Sequence, residues 1–216
     1  MKLDTTLYLV TDSTGMTDEA FLQTVCAALK GGVTLLQLRE KERSAREYLA
    51  LAEKVLPLAH EYGVPLLIDD RIDVALAVDA DGVHVGQSDL PVSVARKLLG
   101  PGKIVGATAK TVAQALEAQE QGADYLGTGA IFPTQTKAAA IPTSVGTLSG
   151  VCRAVHIPVV AIGGLKQDNL SVLEGCPISG IAVVSAIMSS ATPGIAAREL
   201  AAMAKKLVEL GRAKNA

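Results

Sequence analysis

Eight short apolar segments, each followed by a segment with helical spacing, constrain the fold of this chain more than any other feature. The apolar segments cover 7–11, 35–39, 65–69, 82–85, 104–108, 124–127, 158–162 and 180–184. They are almost continuously apolar, as is typical of strands that are buried on both faces of a parallel sheet. Eight strand–helix units in 216 residues predict an α/β protein, with a single (β/α)8 TIM-barrel domain over 1–216. A doubly wound open sheet is the alternative.

The segments between these strands predict the helices of the barrel. The expected helices cover 18–30, 45–62, 72–78, 91–99, 111–121, 143–155, 166–174 and 195–210. Ser44 and Thr111 each stand three residues before Glu or Gln, which is the pattern of a capping box at a helix start. The tail, 211–216, begins at Gly211 and is expected to be frayed.

Charge and cysteine usage exclude several classes of function. The net charge is −2, so neither a nucleic acid nor a membrane surface is an expected partner. The chain has no signal-peptide pattern, and its three scattered cysteines are typical of reduced thiols in a cytoplasmic protein. The expected partners are small-molecule substrates, and the oligomeric state, monomer or homodimer, stays open.

Polar residues of unusual type follow the predicted strands. In a (β/α)8 barrel the active site lies at the carboxyl ends of the strands, so these residues are expected to meet at one mouth. Ordinary loops also carry polar residues, but acidic clusters, cations and small-residue turns together are less expected. The collected positions are Asp12, Gln37, Arg39, Lys41, Asp69, Asp70, Gln87, Asp89, Thr108, Thr128, 134–137, Gly163, Gly164 and Ser185.

Gln37, Arg39 and Lys41 alternate along the second strand and its end, so they are expected to point to the same side. An amide, a guanidinium and an ammonium pointing into a barrel mouth suit a heteroaromatic ring that carries a phosphate or diphosphate. A solvated strand end is the alternative.

Asp70 and Asp89 end the neighbouring third and fourth units. Two carboxylates from adjacent strands predict a hard oxygen site for Mg²⁺ bridged by a substrate phosphate. The alternatives are local: Asp89 could cap the helix that follows it, and Asp70 could pair with Arg71 or cap the short helix.

Two further stretches have features of phosphate sites. The loop 127–137 contains two glycines, three threonines and Lys137, and the turns at Gly163-Gly164 and Ser185 close the last two strands. An ordinary surface loop and a tight turn are the alternatives. His84, inside a strand, is expected to be a hydrogen-bonded core histidine. Because no nucleophile or acid–base pair stands out, the site is expected to act through electrostatics.

Six motifs in order along the chain resemble the thiamine phosphate synthase family. The motifs are 37–41 (QLREK), 69–75 (DDRIDVA), 84–91 (HVGQSDLP), 127–137, 162–164 (IGG) and 184–185 (VS). The resemblance implies a barrel enzyme of thiamine biosynthesis, a transferase that condenses 4-amino-2-methyl-5-(diphosphooxymethyl)pyrimidine with a methylthiazole phosphate or its carboxylated form. The products are thiamine phosphate and diphosphate.

The resemblance also implies roles for individual residues. Arg39, Lys41 and Lys137 would be catalytic, and one Mg²⁺ per subunit would be held by Asp70 and Asp89. The pyrimidine diphosphate would be bound by Gln37, Leu38, Arg39, Glu40, Lys41, Asp69, Thr108 and Lys137. The thiazole phosphate would be bound by Thr134, Gln135, Thr136, Gly164, Val184 and Ser185.

Two positions depart from the usual family pattern: Asp69 stands where Asn is common, and Thr108 where Ser is common. An additional carboxylate beside a diphosphate puts the role of Asp69 in doubt. A thiazole phosphate isomerase or tautomerase, or a regulatory binding protein of the same barrel family, is the alternative function. Such proteins would need the phosphate turns but neither a diphosphate clamp nor two metal carboxylates.

Overall fold

The strands close into a complete parallel barrel. The computed structural model describes residues 3–134 and 142–215. Strands β1 to β8 pair in chain order, and β8 pairs with β1, so the prediction of a (β/α)8 barrel is confirmed. The strands are β1 Leu7–Val10, β2 Leu35–Leu38, β3 Leu66–Asp69, β4 Gly82–Val85, β5 Ile104–Thr108, β6 Tyr125–Gly129, β7 Val159–Ile162 and β8 Gly180–Val183.

Most predicted helices begin and end within two residues of the expected positions. Their bounds are α1 Asp18–Lys30, α2 Ala45–Glu61, α3 Ile72–Val78, α4 Val92–Leu99, α5 Val112–Glu120 and α6 Val145–Ala154, followed later by α7 Ser185–Met188 and α8 Pro193–Asn215. The capping box at Ser44 is confirmed in both halves. At Thr111 only half forms, because Gln114 accepts from the Lys110 amide instead. Within the described residues, no helix has the length and apolarity needed to cross a membrane.

Side-chain alternation gives the barrel wall two different faces. The outward face packs against the helices in one large apolar cluster that includes Leu36, Ile68 and Val83. The inward face has a small cluster around Tyr8, Leu35 and other side chains at the axis. Because successive strand residues point to opposite sides, the inward positions near the strand ends are the ones that can form a site.

The prediction of a regular helix over 166–174 is wrong. This segment forms only a short 3-10 helix, Leu170–Leu173. Asn169 is the reason, since its side chain accepts from the Lys166 amide at 2.9 Å and donates to the Gly164 carbonyl at 2.9 Å. Such local side-chain bonds to the backbone compete with a regular helix.

The C-terminal part of the chain differs from the expectation in two ways. A short helix, α7, follows β8 before the closing helix begins. The closing helix α8 continues to Asn215, five residues beyond its expected end at 210. Gly211 does not stop the helix; a Cβ there would lie 2.3 Å from the Cys176 carbonyl oxygen, so glycine permits close packing of α8 on the barrel.

Candidate active site

A cavity of about 430 Å³ opens at the carboxyl ends of the strands. Side chains from every part of the barrel wall line it, and it is the place where most of the predicted site residues meet. The predicted residues that line it are Gln37, Arg39, Lys41, Asp69, Asp70, Asp89, Thr108, Thr134, Gly164, Val184 and Ser185.

Five predicted site residues are not brought to this cavity by the described structure. Gln135, Thr136 and Lys137 lie outside the described residues. The side chain of Leu38 points outward into the apolar cluster, and Glu40 accepts from the Ser13 hydroxyl at 2.6 Å instead of lining the cavity. Alternation along β2 explains both positions, since Gln37, Arg39 and Lys41 occupy the inward side.

The two cations at the mouth are paired with carboxylates. Lys41 Nζ lies 3.0 Å from Asp69 Oδ2 and also pairs with Asp70, while Arg39 Nε lies 3.7 Å from Asp69 Oδ2. Burial lowers the pKa of Lys41, but the two carboxylates more than offset this and raise it above its usual value. The lysine is therefore charged at neutral pH. Gln37 is buried and the Arg39 side chain is 19% exposed, whereas the Lys41 side chain is 44% exposed, so a solvated strand end describes Lys41 alone.

This pairing explains what an aspartate does at position 69. Its side chain is only 10% exposed, and it offers one negative group to both Arg39 and Lys41. A buried carboxylate needs such partners. Asp69 therefore holds the two cations on one side of the cavity mouth.

Asp70 and Asp89 form a second acidic feature of the cavity mouth. The alternatives of a helix cap for either residue, and of an Asp70–Arg71 ion pair, are wrong. Asp89 does not cap α4; it accepts from the Gly86 amide at 2.7 Å. Asp70 pairs with Lys41, whereas Arg71 pairs with Asp73. Burial, and then the neighbouring Asp70 carboxyl, raise the pKa of Asp89.

The Asp70–Asp89 pair fits a divalent cation. The Asp70 carboxyl disfavours ionisation of Asp89, a cation placed against both would offset this, and oxygen donors are what Mg²⁺ prefers. Over 3–134 and 142–215, no group of three or more His, Cys, Asp or Glu side chains is arranged as a complete protein site. Two carboxylates leave room for the oxygens of a substrate.

The floor of the cavity is a chain of hydrogen bonds across the barrel interior. Gln37 Nε2 donates to the Tyr8 hydroxyl at 2.5 Å, and the Tyr8 and Tyr125 hydroxyls lie 2.7 Å apart. His84 Nδ1 lies 2.8 Å from the Tyr125 hydroxyl, and its Nε2 lies 3.0 Å from Thr108 Oγ1. His84 is thus the hydrogen-bonded core histidine that the sequence predicts, although its ring also lines the cavity.

Sequence reasoning missed the two tyrosines of this floor. Tyr8 and Tyr125 are 2% and 0% exposed, and each stands in a strand of small and aliphatic residues. A phenol in a buried strand needs a partner for its hydroxyl. That requirement is the signal that could have indicated a polar network inside the barrel.

The glycine pair after β7 places the loop that follows β6. Gly163 and Gly164 have φ angles of 103° and 63°, which side chains rarely adopt. A Cβ on Gly163 would lie 2.4 Å from Ala130 Cβ, and one on Gly164 would lie 2.7 Å from Phe132 Cβ. The pair therefore forms a tight turn and also lets the chain leading to Thr134 lie directly over it.

Together these features define a (β/α)8 barrel in which cations, carboxylates and glycine turns surround one cavity at the carboxyl ends of the strands. A family model described as thiamine monophosphate synthase matches residues 7–187. The chain belongs to this family.

Individual relatives agree with the family over most of the chain. Thiamine-phosphate synthase 2 of Streptococcus pneumoniae is 55% identical over 184 residues, which cover 85% of this chain and 88% of the relative. The thiamine-phosphate synthase of Enterococcus faecalis is 53% identical, covering 84% and 86%. The structure of a thiamine phosphate pyrophosphorylase from Pyrococcus furiosus superposes with a TM-score of 0.84 at 39% identity, covering 94% and 96%.

Proposed function

We propose that this chain is the transferase that joins 4-amino-2-methyl-5-(diphosphooxymethyl)pyrimidine to 4-methyl-5-(2-phosphooxyethyl)thiazole and releases diphosphate; with the 2-carboxy form of the thiazole, the carboxylate would also leave as CO2. The observation that carries the proposal is the arrangement of Arg39 and Lys41 at the cavity mouth above Gln37 on the floor. The cations suit the diphosphate, and the amide suits the amino group of the pyrimidine.

The chemistry proposed for the cations is stabilisation of the leaving group. A diphosphate leaves readily only when the negative charge that grows on its bridging oxygen is neutralised. Arg39 and Lys41 are held near Asp69 before substrate arrives, so they need little reorganisation to face that charge. Lys137, from the loop after β6, is proposed as the third cation, and Thr108 as a hydroxyl donor to the same group.

The proposed metal is one Mg²⁺ ion per subunit, held by Asp70 and Asp89. When bound, it would supply additional positive charge at the diphosphate oxygens. The two carboxyl groups fit this role because they come from adjacent strand ends and lie close enough for Asp70 to raise the pKa of Asp89. Lys41, paired with Asp70, links this side of the site to the cation pair.

The opposite side of the cavity is proposed to hold the thiazole phosphate. Gly164, Val184 and Ser185 line it after β7 and β8, and Thr134 approaches from the loop after β6. Gln135 and Thr136 are proposed to complete this subsite. The loop that follows β6 would then serve both substrates, with its threonines on the thiazole phosphate and Lys137 on the departing diphosphate.

The proposed bond change is a dissociative alkyl transfer. The bond between the pyrimidine methylene carbon and the diphosphate oxygen breaks first, and the electron-rich aminopyrimidine stabilises the resulting cation. The thiazole nitrogen then attacks that carbon. This route needs no protein nucleophile and makes full use of Gln37, Arg39 and Lys41.

The diphosphate clamp favours this reaction over an isomerase, a tautomerase or a regulatory binding barrel. Those functions would have no use for two cations and two metal carboxylates around one cavity.

The test is incubation of the purified protein with the pyrimidine diphosphate, the thiazole phosphate and Mg²⁺, with both products measured. We expect equal amounts of thiamine phosphate and diphosphate, and a strong loss of turnover when the metal is chelated. Thermal melting supplies a second readout: Mg²⁺ with diphosphate should raise the melting temperature of the wild type and not that of Asp89→Asn. No turnover, or diphosphate release without thiamine phosphate, would contradict the proposal.

A further inference from the structure

The hydrogen-bond chain beneath the cavity connects two residues that face the cavity from different strands. It has four links, from Gln37 through Tyr8, Tyr125 and His84 to Thr108. Gln37 and Thr108 line the cavity, on β2 and β5. A chain of this kind has a direction, because a hydroxyl or a neutral imidazole ring that accepts at one side has a proton to donate at the other side.

The direction follows from the first link. Gln37 Nε2 donates to the Tyr8 oxygen, so the Tyr8 proton is available to the Tyr125 oxygen and the Tyr125 proton to His84 Nδ1. The distances from His84 Nδ1 to Tyr125 and from Nε2 to Thr108 Oγ1 fit either tautomer, and the direction that starts at Gln37 selects the neutral one with its proton on Nε2, donating to Thr108 Oγ1. Two consequences appear at the cavity: Gln37 presents its carbonyl oxygen, and Thr108 presents its hydroxyl proton.

The middle of the chain is built to keep both phenols neutral. Tyr125 is fully buried and does not line the cavity. Burial raises the pKa of both Tyr8 and Tyr125 far above the ordinary phenol value, so both keep their protons. Gly106 leaves the space for the Tyr125 ring, since a Cβ there would lie 2.2 Å from Tyr125 Cζ.

We propose that Tyr125 and His84 are positioning residues that fix the direction of this chain, so that Gln37 is held as an acceptor and Thr108 as a donor toward the pyrimidine diphosphate. This rests on the proposed function. An amino group on the ring needs an acceptor, and an ionised diphosphate accepts only, so both ends of the substrate require the direction that Gln37 sets. In the reverse direction, the N–H₂ of Gln37 would face the amino group of the ring, and a lone pair of the Thr108 hydroxyl would face the diphosphate. Both contacts would be unfavourable.

The direct test reads the tautomer of His84 in the wild-type protein by ¹⁵N NMR of the histidine rings. The chain has only three histidines, and a His84→Asn variant identifies the signals of His84. We expect a neutral ring at neutral pH with Nε2 protonated and Nδ1 unprotonated. A ring protonated on Nδ1 alone, or on both nitrogens, would overturn the proposal, and the reading itself is made on the wild-type protein.

The kinetic test uses Tyr125→Phe, which removes one hydroxyl and leaves the ring. Because the lost hydroxyl orders residues on both sides, kcat/KM for the pyrimidine diphosphate should fall on the order of tenfold, while KM for the thiazole phosphate stays unchanged. In a Gln37→Ala background the same substitution should have little additional effect, since residues acting through one network are not additive. An equal fall in kcat/KM for the pyrimidine diphosphate and for the thiazole phosphate would indicate general destabilisation and overturn the proposal. Full additivity of the losses in kcat/KM for Tyr125→Phe and Gln37→Ala would do the same.

Tyr48→Phe is the matched control. Tyr48 is another buried tyrosine, 1% exposed; its hydroxyl donates to the Leu38 carbonyl and accepts from the Asp69 amide at 3.2 Å, and it is not a member of the hydrogen-bond chain. The control should lose stability comparably and leave the His84 tautomer unchanged, whereas Tyr125→Phe should disturb that tautomer. A wild type without turnover would already contradict the proposed function in the earlier assay. An active wild type with the wrong His84 tautomer would overturn only the present inference.

Discussion

The two faces of the barrel wall differ in what they bury. Outward-facing side chains such as Leu36, Ile68 and Val83 form a continuous apolar layer with the helices. Inward-facing side chains include, besides a small apolar cluster, a glutamine, two tyrosines and a histidine joined by hydrogen bonds. Consecutive residues of one strand therefore serve stability on one side and chemistry on the other.

The difference shows how a packed barrel makes room for two substrates. A (β/α)8 barrel interior is commonly filled by layers of large branched side chains. Here Gly127 and Gly129 from β6 contribute no side chain to the upper interior, and a cavity of about 430 Å³ remains. The polar groups that replace apolar ones are tolerated because each link of the floor is bonded to the next.

The largest effect should come from removing a cation at the mouth. We expect Arg39→Ala, and likewise Lys137→Ala, to lower kcat/KM about 100-fold or more, because a donor aimed at the developing diphosphate charge is lost. Steady-state assays of diphosphate release measure this.

Arg96→Ala is the matched control for that comparison. Arg96 bonds the Gly122 and Lys103 carbonyls that precede β6 and β5, at the opposite end of the barrel. This variant should lose stability in denaturant unfolding while its folded fraction retains normal turnover. If turnover of the folded Arg96→Ala variant fell as much as that of Arg39→Ala, this would contradict the assignment of catalysis to one end of the barrel and stability to the other.

Substitution of an outward-facing residue should lower stability more than it lowers turnover. Leu36 is fully buried in the apolar layer, so Leu36→Ala should cost about 2–5 kcal/mol of unfolding free energy. Urea unfolding followed by circular dichroism measures this. A loss below about 0.5 kcal/mol would be in the range of surface substitutions and would contradict the role given to the outer layer.

Gly106→Ala should disturb both faces at once. Its Cβ would meet the Tyr125 ring, so we expect a loss of about 1–3 kcal/mol of stability from overpacking. The same shift of Tyr125 should weaken binding of the pyrimidine diphosphate. Gly102→Ala is the control, because its Cβ would meet nothing within 4 Å. Equal melting temperatures for the two variants would argue against a tightly packed floor.

The smallest effect should follow Asp69→Asn. Removing this carboxylate frees Arg39 and Lys41 from an ion pair that competes with the substrate. KM for the pyrimidine diphosphate should fall about threefold, the equivalent of one partly exposed ion pair. A rise in KM would mean that Asp69 contributes more by positioning the cations than it costs by competing for them.

Much of the fold could be predicted because each strand is short, apolar and bounded by turn residues. The prediction was wrong where one side chain decided the local structure: Asn169 prevents a regular helix, and Gly211 serves packing instead of ending α8. A three-residue spacing at Thr111 also predicted a capping box whose second half forms with another amide. Such choices depend on neighbours that the local pattern does not contain.

The candidate site could be predicted at strand ends and not in the interior. Gln37, Arg39 and Lys41 were found by alternation and are brought together at one cavity. The link from Tyr8 to Tyr125 joins positions that are 117 residues apart and could not be predicted from either strand alone. The same holds for Asp69, whose pairing with two cations depends on the register of β2 and β3.

The most direct test of the division between the two faces compares neighbours on β2. We would measure kcat/KM for the pyrimidine diphosphate, per folded molecule, for Gln37→Ala and Leu36→Ala. We expect a loss of about tenfold or more for Gln37→Ala, because a bonded group that faces substrate is removed, and a change of less than about twofold for Leu36→Ala. Equal losses in the two variants, or a greater loss for Leu36→Ala, would contradict it.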